Sequence, residues 1–442
     1  MNKKKVISNK EIDRLGDRIR QESPNLSNIT LESLQQYRSS HEESLSKIFN
    51  ILCEIKRNIN NSSIASFRIK RFESIIGKLK RYPKMKFNRM WDIGGCRCIL
   101  NSEKEIYKLR EEIGKVLDIR KEYDYIKKPQ EEGYKSLHLF VSLKNDDKVI
   151  EIQLRNKFFH NWATLVEITD LLFEAKLKEY KDDKTLLRFH FLLSKNELVL
   201  GEKKEFAKIV SSYNYFEKLS EVFSRNYLKV REQWTGINTS HRHKYYLIET
   251  SKDQVPIITA YERYKDAESH YFESFKKNSK ANIVLTHLPK ASYQQISLAY
   301  SNYILTVHDF FDKSLGIIEN LVIESLKKGK IIDFYRYYIL YNKIVFGHFD
   351  NIINEIHFSN EIFASIISKK KRKRRNKKNR EWSIDIKNQV KNLISKYNSI
   401  SDKLRETLST NWGYKFIFRK IARSIEKKYE KELRVKITSK NL

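Results

Sequence analysis

Residues between positions 68 and 155 include four groups whose types and spacing suit phosphate chemistry. The first group combines four cations with a hydroxyl: Arg68, Lys70, Ser74, Lys78 and Arg81. The last three positions are spaced i, i+4 and i+7, so they share one face of a helix. Arginine binds phosphate oxygens in pairs and lysine adds a point charge, so the group predicts a triphosphate clamp. In a chain with 87 Lys and Arg, a solvated cationic surface is the alternative.

The second group places an aspartate and an arginine on either side of two glycines. Asp92 precedes a strand-like run, Gly94 and Gly95 allow the backbone to approach a ligand closely, and Arg97 follows. A carboxylate in this position suits Mg²⁺ bound beside phosphates, and Arg97 is expected to reach the same ligand. The alternative is an ordinary turn that enters a strand.

The third group follows Gly133 and combines an aromatic ring, a cation, a hydroxyl and an imidazole: Tyr134, Lys135, Ser136 and His138. The tyrosine ring can stack on a nucleobase. Lys135 and His138 can contact phosphate. The group therefore predicts an acceptor-binding loop, and the alternative is a hairpin with a tyrosine at an interface.

The fourth group consists of a carboxylate and an amide, Glu151 and Gln153. They are two residues apart on a predicted strand, so they face the same side of it. Glu151 beside Asp92 would form a carboxylate pair for metal binding and proton removal.

Hydrophobic spacing assigns these groups to a mixed α/β domain. Helices are predicted before residue 60, with Ser27 or Asn28 as a cap, and over about 70–81, 102–117 and 158–180. Strands are predicted at 96–100, 135–144 and 148–154, and residues 61–66 are interpreted as a break. The expected fold class is α/β (α+β), a small mixed β-sheet flanked by helices.

Three regions are expected along the chain. Residues 1–185 form the domain just described, residues 186–357 form a helical region with a second small α/β accessory module, and residues 358–442 form a basic helical tail. In the accessory module, strands are expected at 244–249, 255–260 and 281–286, with a helix over 261–278. Residues 369–380 contain ten Lys or Arg in twelve positions and are expected to stay unpacked because like charges repel.

Bulk composition narrows the class of protein. The chain has 442 residues, 40% hydrophobic content and a net charge of +32, which excludes global disorder and favours a polyanionic partner, with a general Lys-rich bias as the alternative. Three cysteines do not make a disulfide framework, so reduced thiols in a cytoplasmic protein are expected. The N-terminus has no apolar segment behind its lysines, and no run of about 18 apolar residues occurs, so neither a signal peptide nor a membrane span is expected.

The order and spacing of the four groups resemble the synthetase domain of the RelA/SpoT family, the alarmone pyrophosphokinases. The resemblance covers roughly residues 40–180. It is carried by these positions: Arg68, Lys70, Ser74, Lys78, Asp92, Gly95, Arg97, Asp124, Tyr125, Pro129, Gly133, Tyr134, Ser136, His138, Glu151, Gln153 and Arg155. The sequence departs from the family at Gln130, where a lysine is frequent, and Glu131 and Glu132 add negative charge. Cys96 and Cys98 replace the usual aliphatic residues beside Arg97.

The resemblance implies transfer of the β,γ-pyrophosphate of ATP to a ribose 3′-hydroxyl, with release of AMP. ATP binding would fall to the first group with Arg97, and the acceptor to Tyr134, Lys135, Ser136, His138 and Gln153. Asp92 and Glu151 would hold Mg²⁺, and Glu151 would help to remove the 3′-hydroxyl proton.

Three hypotheses about the function stay open. In the first, the protein is an alarmone synthetase and the acceptor is GDP or GTP; in the second, it is a toxic relative and the acceptor is the 3′ end of tRNA. In the third, it is a catalytically silent RNA-binding protein. The net charge and the 369–380 tract favour an RNA partner, and a flexible basic linker is the alternative. Residues 255–286 with 299–303 resemble an accessory module of single-chain relatives, which would regulate or neutralise the synthetase in cis.

Overall fold

The computed structural model describes residues 8–175, 177, 182–237, 242–251, 254–278, 282–288, 293, 295–296, 308–367, 372–409 and 415–439. The chain forms two compact units. The first contains Met1–His160 and Ile237–Tyr303, and the second contains Asn161–Gly236 and Ile304–Leu442. These units differ from the predicted regions, because each is assembled from two separate stretches of chain.

The first unit is built from helices and one β-sheet. Its helices are α1 (Asn9–Glu22), α2 (Asn28–Ser39), α3 (Glu42–Ile59), α4 (Phe72–Arg81), α5 (Glu103–Val116) and α10 (Tyr264–Lys277). Its strands are β1 (Ile64–Ile69), β2 (Gly94–Leu100), β3 (Asp118–Asp124), β4 (Leu137–Ser142), β5 (Ile150–Asn156), β6 (Tyr245–Ser251), β7 (Gln254–Tyr261) and β8 (Asn282–His287). The predicted helices and strands of residues 70–156 are confirmed, and Ser27 and Ser102 cap α2 and α5 through their side chains.

Eight strands form a single mixed sheet in the order β3-β4-β5-β2-β1-β8-β6-β7. Strands β2 and β5 are parallel, and the other neighbouring pairs are antiparallel. The predicted mixed sheet flanked by helices is confirmed, although the sheet is larger than expected.

Two strands of the sheet were not predicted. Residues 61–66, interpreted as a break, contain the start of β1, because the polar stretch before it hides a short apolar run. Strand β3 has the sequence Asp-Ile-Arg-Lys-Glu-Tyr-Asp at the edge of the sheet, where it is mostly solvent-exposed and so has no apolar alternation to detect.

The accessory strands also differ from the prediction of a separate α/β unit. Strands β6, β7 and β8 form at the expected positions, but β8 pairs with β1, with Phe67 opposite His287 and Arg68 opposite Thr286. Pairing between residues more than 200 positions apart leaves no local signal in the sequence. The accessory segment therefore completes the sheet of the first domain.

Alternation along the central strands separates a core face from a polar face. Alternate residues of β1, β2, β4 and β5 are buried together with residues of α3 and α5 in one hydrophobic cluster, which includes Phe67, Cys96, Cys98, Leu139 and Ile152. Most of the intervening residues, such as Arg97, His138, Glu151 and Gln153, are only partly buried. Because side chains alternate along a strand, these polar residues share the opposite face of the sheet.

The second unit is helical in its described residues. After α6 (Lys157–Phe173) come α7 (Lys184–Ser194), α8 (Leu200–Tyr213), α9 (Tyr215–Gly236), α11 (His308–Lys327), α12 (Ile331–Ile367), α13 (Arg372–Ser409) and α14 (Lys415–Ser439). Trp382 is fully buried in this unit, and its indole N–H donates to Glu355 Oε1 at 2.7 Å. The predicted helical character of 185–230 and of the tail is confirmed.

Two expectations about the second half concern the basic tract 369–380 and residues 299–303. Most of the 369–380 tract belongs to the backbone of α13, which begins at Arg372. Residues 299–303 lie outside the described part of the chain. None of the helices in the described ranges is long and apolar enough to cross a lipid bilayer.

Candidate active site

An aspartate held by two lysines forms the first part of the site. Lys70 Nζ and Lys78 Nζ each lie 2.9 Å from Asp92 Oδ2. The side chains are mostly buried, with exposed fractions of 18% for Lys70, 29% for Lys78 and 16% for Asp92. Two groups that the sequence predicted separately are thus one cluster.

Local structure explains how these three residues meet. Lys70 directly follows β1, and its backbone N–H donates to the carbonyl of Ile93 at 2.8 Å, which aligns the end of β1 with the segment before β2. Lys78 reaches the same point from the last turn of α4. Burial alone would raise the pKa of Asp92, but the two lysines outweigh it and hold the pKa far below its usual value. Asp92 is therefore a carboxylate at any physiological pH.

The remaining predicted cations surround this cluster. Arg68 lies on β1 opposite Gly95 of β2, and Arg97 lies on β2 opposite Ser66. Ser74 and Arg81 lie on α4, where both are partly buried. The cations and Ser74 thus come from three consecutive elements of the fold, β1, α4 and β2.

Strand register aligns the polar residues in two rows across the sheet. Arg68, Gly95 and Glu151 occupy neighbouring positions on β1, β2 and β5. Arg97, Gln153 and His138 form the adjacent row on β2, β5 and β4, listed in that order. A Cβ added at Gly95 would lie 3.9 Å from Glu151 Oε2, so the glycine keeps the space beside this carboxylate open.

A chain of hydrogen bonds connects the predicted catalytic carboxylate to the predicted base platform. His138 Nδ1 lies 2.8 Å from Glu151 Oε1, and His138 Nε2 lies 2.7 Å from Tyr134 Oη. Gln153 Nε2 donates to Glu151 Oε2 at 3.0 Å, as expected for two residues on one strand face. Both carboxylate oxygens of Glu151 are thereby held in fixed directions.

Electrostatic interactions shift the pKa values of the three residues in this chain of hydrogen bonds. Burial alone would raise the pKa of Glu151, but the hydrogen bond and charge of His138 lower it below its usual value. Burial would lower the pKa of His138, but Tyr134 and Glu151 raise it to about 9. Burial would raise the pKa of Tyr134, but Arg155 and His138 lower it to about 7. The imidazole is therefore protonated at neutral pH and donates to both neighbours.

Arg155 is a site residue to which sequence reasoning assigned no role. It is buried, and one of its terminal nitrogens donates to Tyr134 Oη at 2.7 Å and to Gln153 Oε1 at 3.1 Å. Its position two residues after Gln153 was the available signal, since 151, 153 and 155 alternate on one strand. Tyr125 was likewise named only as a motif position, and its ring meets Tyr134 and His138 edge-on at 5.8 Å and 5.3 Å.

The other two residues of the predicted acceptor loop make structural contacts. Ser136 is fully buried, and its hydroxyl donates to the carbonyl of Leu154 at 3.3 Å, which ties the start of β4 to β5. Lys135 Nζ lies 5.6 Å from the centre of the Phe159 ring. Ser136 is thus placed to support the loop, whereas Tyr134 and His138 lie on the polar side of the strand.

The loop before Tyr134 has a defined turn. Gly133 has a φ of 95°, a conformation that favours glycine, and its N–H donates to the carbonyl of Gln130 at 2.8 Å. Gln130 and Glu131 are exposed, so the departure from the family pattern lies at the surface of this loop.

One carboxylate oxygen of Asp92 has lone pairs available for a metal ion. Its Oδ1 is buried and has no hydrogen-bond partner, while Oδ2 accepts from both lysines. In the described ranges, no cluster of three or more His, Cys, Asp or Glu is arranged as a metal site. A pair of carboxylates completed by substrate phosphates is the arrangement that Mg²⁺ prefers, so Asp92 and Glu151 fit this ion better than a metal held by protein alone.

Fold and site together define a class of protein: a phosphate-handling enzyme whose polar sheet face carries a cationic clamp beside two carboxylates. Residues 67–175 match the sequence model described as "Region found in RelA / SpoT proteins". GTP pyrophosphokinase YwaC of Bacillus subtilis is 34% identical over 146 residues, which cover 27% of this chain and 70% of that protein. The chain belongs to the RelA/SpoT family and is accordingly a pyrophosphotransferase.

Other relatives match a smaller share or show weaker likeness. A guanosine-3′,5′-bis(diphosphate) 3′-pyrophosphohydrolase of Borreliella burgdorferi is 28% identical over 142 residues, 31% of this chain and 21% of that protein. The crystal structure of small alarmone synthetase 1 from Bacillus subtilis aligns over 41% of this chain and 97% of its own, at 18% identity and a TM-score of 0.32. Small alarmone synthetase 2 from the same organism aligns over 41% and 98%, at 23% identity and a TM-score of 0.30.

Proposed function

We propose that this protein transfers the β,γ-pyrophosphate of ATP to the 3′-hydroxyl of GDP or GTP, making (p)ppGpp. The observation that carries the proposal is that the Lys70–Asp92–Lys78 cluster lies close to the Glu151–His138–Tyr134 chain, because the charges of Asp92 and Lys70 act on the pKa of Glu151. One cluster suits a triphosphate, and the other suits a hydroxyl acceptor attached to a base.

The cationic cluster supports binding of the donor. Attack on the β-phosphorus must overcome the negative charge of the triphosphate, and preorganised cations offset that charge most strongly where water is excluded. Lys70 and Lys78 are held in place by Asp92 before ATP arrives. Arg68 and Arg97 flank them on adjacent strands and would bind phosphate oxygens in pairs.

The hydrogen-bonded chain supports activation of the acceptor. The 3′-hydroxyl proton moves to Glu151, the bond from O3′ to the β-phosphorus forms, and the bond to the α-phosphate oxygen breaks to release AMP. Protonated His138 orients Glu151 through Oε1, and Gln153 holds Oε2, whose second lone pair would accept the proton. Tyr134 would stack on the guanine and fix the ribose, which is a positioning effect.

Mg²⁺ is part of the proposal, and Asp92 and Glu151 are the residues that would hold it. When bound, the ion would neutralise phosphate charge and orient the triphosphate. Asp92 Oδ1 is already free to accept it, because the two lysines occupy only the other oxygen.

A transfer assay tests the acceptor. The full chain would be incubated with γ-labelled ATP and Mg²⁺ in parallel with GDP, GTP or bulk tRNA. Label in a guanosine product with GDP or GTP supports the proposal. Label in tRNA alone contradicts it in favour of RNA modification. No label in any arm identifies a catalytically silent RNA-binding protein and contradicts both.

One observation favours tRNA as a second candidate acceptor: the exposed face of α14 is basic. Its buried residues face α12, where Phe334 meets Phe418 at 4.9 Å and Phe346 stacks on Tyr429 at 5.1 Å. The opposite side carries exposed cations: Arg419, Lys420, Arg423, Lys427, Lys431 and Arg434. Phe416 is 75% exposed at the start of the helix, and an aromatic ring beside cations suits single-stranded RNA.

Charge reversal on α14 would separate the two acceptors. If tRNA is the acceptor, Arg423→Glu with Lys427→Glu raises the KM for tRNA by about tenfold and weakens its salt dependence, because fewer counterions are released. Activity with GDP would be unchanged. The matched control is Lys391→Glu with Lys403→Glu on α13, whose exposed surface mixes cations with polar and acidic residues.

A further inference from the structure

A buried arginine lies where the accessory segment meets the clamp. Arg38, on α2, has only 2% of its surface exposed. Its guanidinium contacts two neighbouring aromatic rings, 4.3 Å from the centre of Phe72 and 4.4 Å from the centre of Tyr271, and these two ring centres are themselves 5.7 Å apart. Phe72 is the first residue of α4, and Tyr271 belongs to α10. Arg38 thus touches the helix that carries Ser74 and Lys78 and the helix of the accessory segment.

Arg38 also holds the backbone of a clamp residue directly. Its Nε donates to the carbonyl oxygen of Lys70 at 2.8 Å, and one terminal nitrogen donates to Gln35 Oε1 at 2.6 Å. Lys70 is fixed from the other side by its own N–H bond to Ile93. The turn from β1 into α4 is therefore fixed by one arginine, and this turn sets where the Lys70 side chain begins.

The accessory segment closes the arrangement. Tyr271 Oη accepts the backbone N–H of Phe72 at 3.2 Å, which is one of the free N–H groups at the start of α4. Phe275 packs on Phe72 with ring centres 4.6 Å apart, and Ser39 hydrogen-bonds Glu268. Helix α10 therefore covers both Arg38 and the N-terminus of α4.

The chemistry of the position requires arginine rather than a general cation. No described carboxylate forms an ion pair with Arg38, so its charge is compensated by two ring faces and by oxygen acceptors. A guanidinium can contact aromatic rings and donate several N–H bonds at the same time. A lysine ammonium, which is compact and more strongly hydrated, cannot do both.

We propose that Arg38 is a positioning residue through which the accessory segment, β6–β8 with α10, sets the geometry of the ATP clamp. In contact with Phe72 and Tyr271, it fixes the Lys70 backbone and hence the Lys70–Asp92–Lys78 cluster. The inference rests on the proposed function, since it assigns the clamp to ATP. It gives the accessory segment a constructive role, because the clamp is correctly built only while α10 is docked.

Two variants test the coupling from its two sides. Arg38→Lys keeps the positive charge but loses the guanidinium plane and its several N–H donors. Tyr271→Leu keeps an apolar side chain but removes the aromatic ring on α10. Each is expected to raise the KM for ATP by about tenfold, because a displaced clamp binds less well, while kcat and the acceptor KM change less than about threefold. Tyr271→Phe retains the ring and is expected to restore most of the affinity for ATP.

A buried arginine of the second unit supplies the matched control. Arg231 is buried, lies 5.4 Å from the centre of the Trp382 ring and bonds Asp385 at 2.7 Å. Arg231→Lys is expected to lower the melting temperature while leaving the KM for ATP unchanged. If Arg38→Lys and Tyr271→Leu leave that KM unchanged, or raise the KM values of both substrates equally, the proposal is wrong.

A binding measurement separates this inference from the proposed reaction. Calorimetry with an ATP analogue whose α- and β-phosphorus atoms are bridged by methylene needs no acceptor and no turnover. Weaker analogue binding in Arg38→Lys and Tyr271→Leu, with wild-type binding in Arg231→Lys, supports the role of Arg38 even if every acceptor fails. Equal binding in all variants contradicts that role even if (p)ppGpp is made. Should one variant fail to fold, the other decides by the same criterion.

Discussion

The two halves of the site are held together in different ways. On the proposed donor side, ion pairs and a buried arginine join four separate elements: α2, the end of β1, α4 and the segment before β2. On the acceptor side, residues 134–155 of two adjacent strands form one continuous hydrogen-bonded chain. The geometry of the donor side therefore depends on contacts between several elements of the first unit. The contacts that hold the acceptor side lie largely within β4, β5 and the loop before β4.

This difference bears on how the accessory segment can be studied. A fragment ending near residue 200 would lack β8 and leave β1 as an exposed sheet edge, a position prone to wrong pairing. It would also lack α10 and Tyr271. Altered growth on expression of such a fragment would not distinguish lost inhibition from a damaged donor site, so point variants in the full chain are the better probe.

The largest effect is expected on the acceptor side, at the proposed base. Glu151→Gln removes the proton acceptor but can keep the hydrogen bond with His138, so transfer should fall by about 10²–10⁴-fold. Initial rates with labelled ATP measure this loss, and circular dichroism checks that the fold survives. Glu122→Gln on the edge strand β3 is the control. Full activity in Glu151→Gln would remove this residue from its role.

Asp92→Asn should have the next largest effect, on the donor side. It leaves Lys70 and Lys78 buried without their counter-charge and removes a proposed Mg²⁺ ligand. We expect transfer to be lost, with a decrease of about 2 kcal/mol in the free energy of unfolding because a mostly buried pair is broken. Denaturant titration beside exposed Asp118→Asn measures the second effect. A stability equal to wild type would show that the cluster does not hold the clamp together.

A smaller effect is expected where the acceptor base would stack. Tyr134→Leu should raise the KM for the acceptor by about tenfold or more, since base stacking on an aromatic ring is worth about 1–3 kcal/mol. Tyr134→Phe keeps the ring and should raise that KM less. The KM for ATP should not change in either variant. An equal rise for both substrates would indicate that Tyr134 supports the fold rather than the acceptor.

The smallest effect is a titration that only the acceptor side should show. Because Arg155 and His138 lower the pKa of Tyr134 to about 7, one tyrosinate should form as the pH rises through that value, before the other tyrosines ionise. Ultraviolet difference absorbance detects it. Tyr134→Phe should abolish this step, and Tyr123→Phe should leave it intact. A titration without the early step would show that the charges of Arg155 and His138 do not act on Tyr134.

The sequence predicted which residues lie together on the acceptor side better than on the donor side, because the acceptor residues lie on or beside two strands that follow each other in the sequence. Glu151 and Gln153 share a strand face because side chains alternate along a strand, His138 lies on the adjacent strand β4, and Tyr134 lies shortly before β4. On the donor side, the ion pairs of Asp92 with Lys70 and Lys78 were not foreseen. Arg38 gave no signal at all, because its partners Phe72 and Tyr271 lie 34 and 233 positions away.

We propose that the donor and acceptor halves of the site together transfer the β,γ-pyrophosphate of ATP as one intact group. The most direct measurement is a parallel reaction of the full chain with ATP labelled at the α- or the γ-phosphate, with GDP as acceptor. The account predicts that the γ label enters the guanosine product while the α label appears in AMP in equal amount. Formation of ADP, or of a guanosine product that carries the α label, would contradict it.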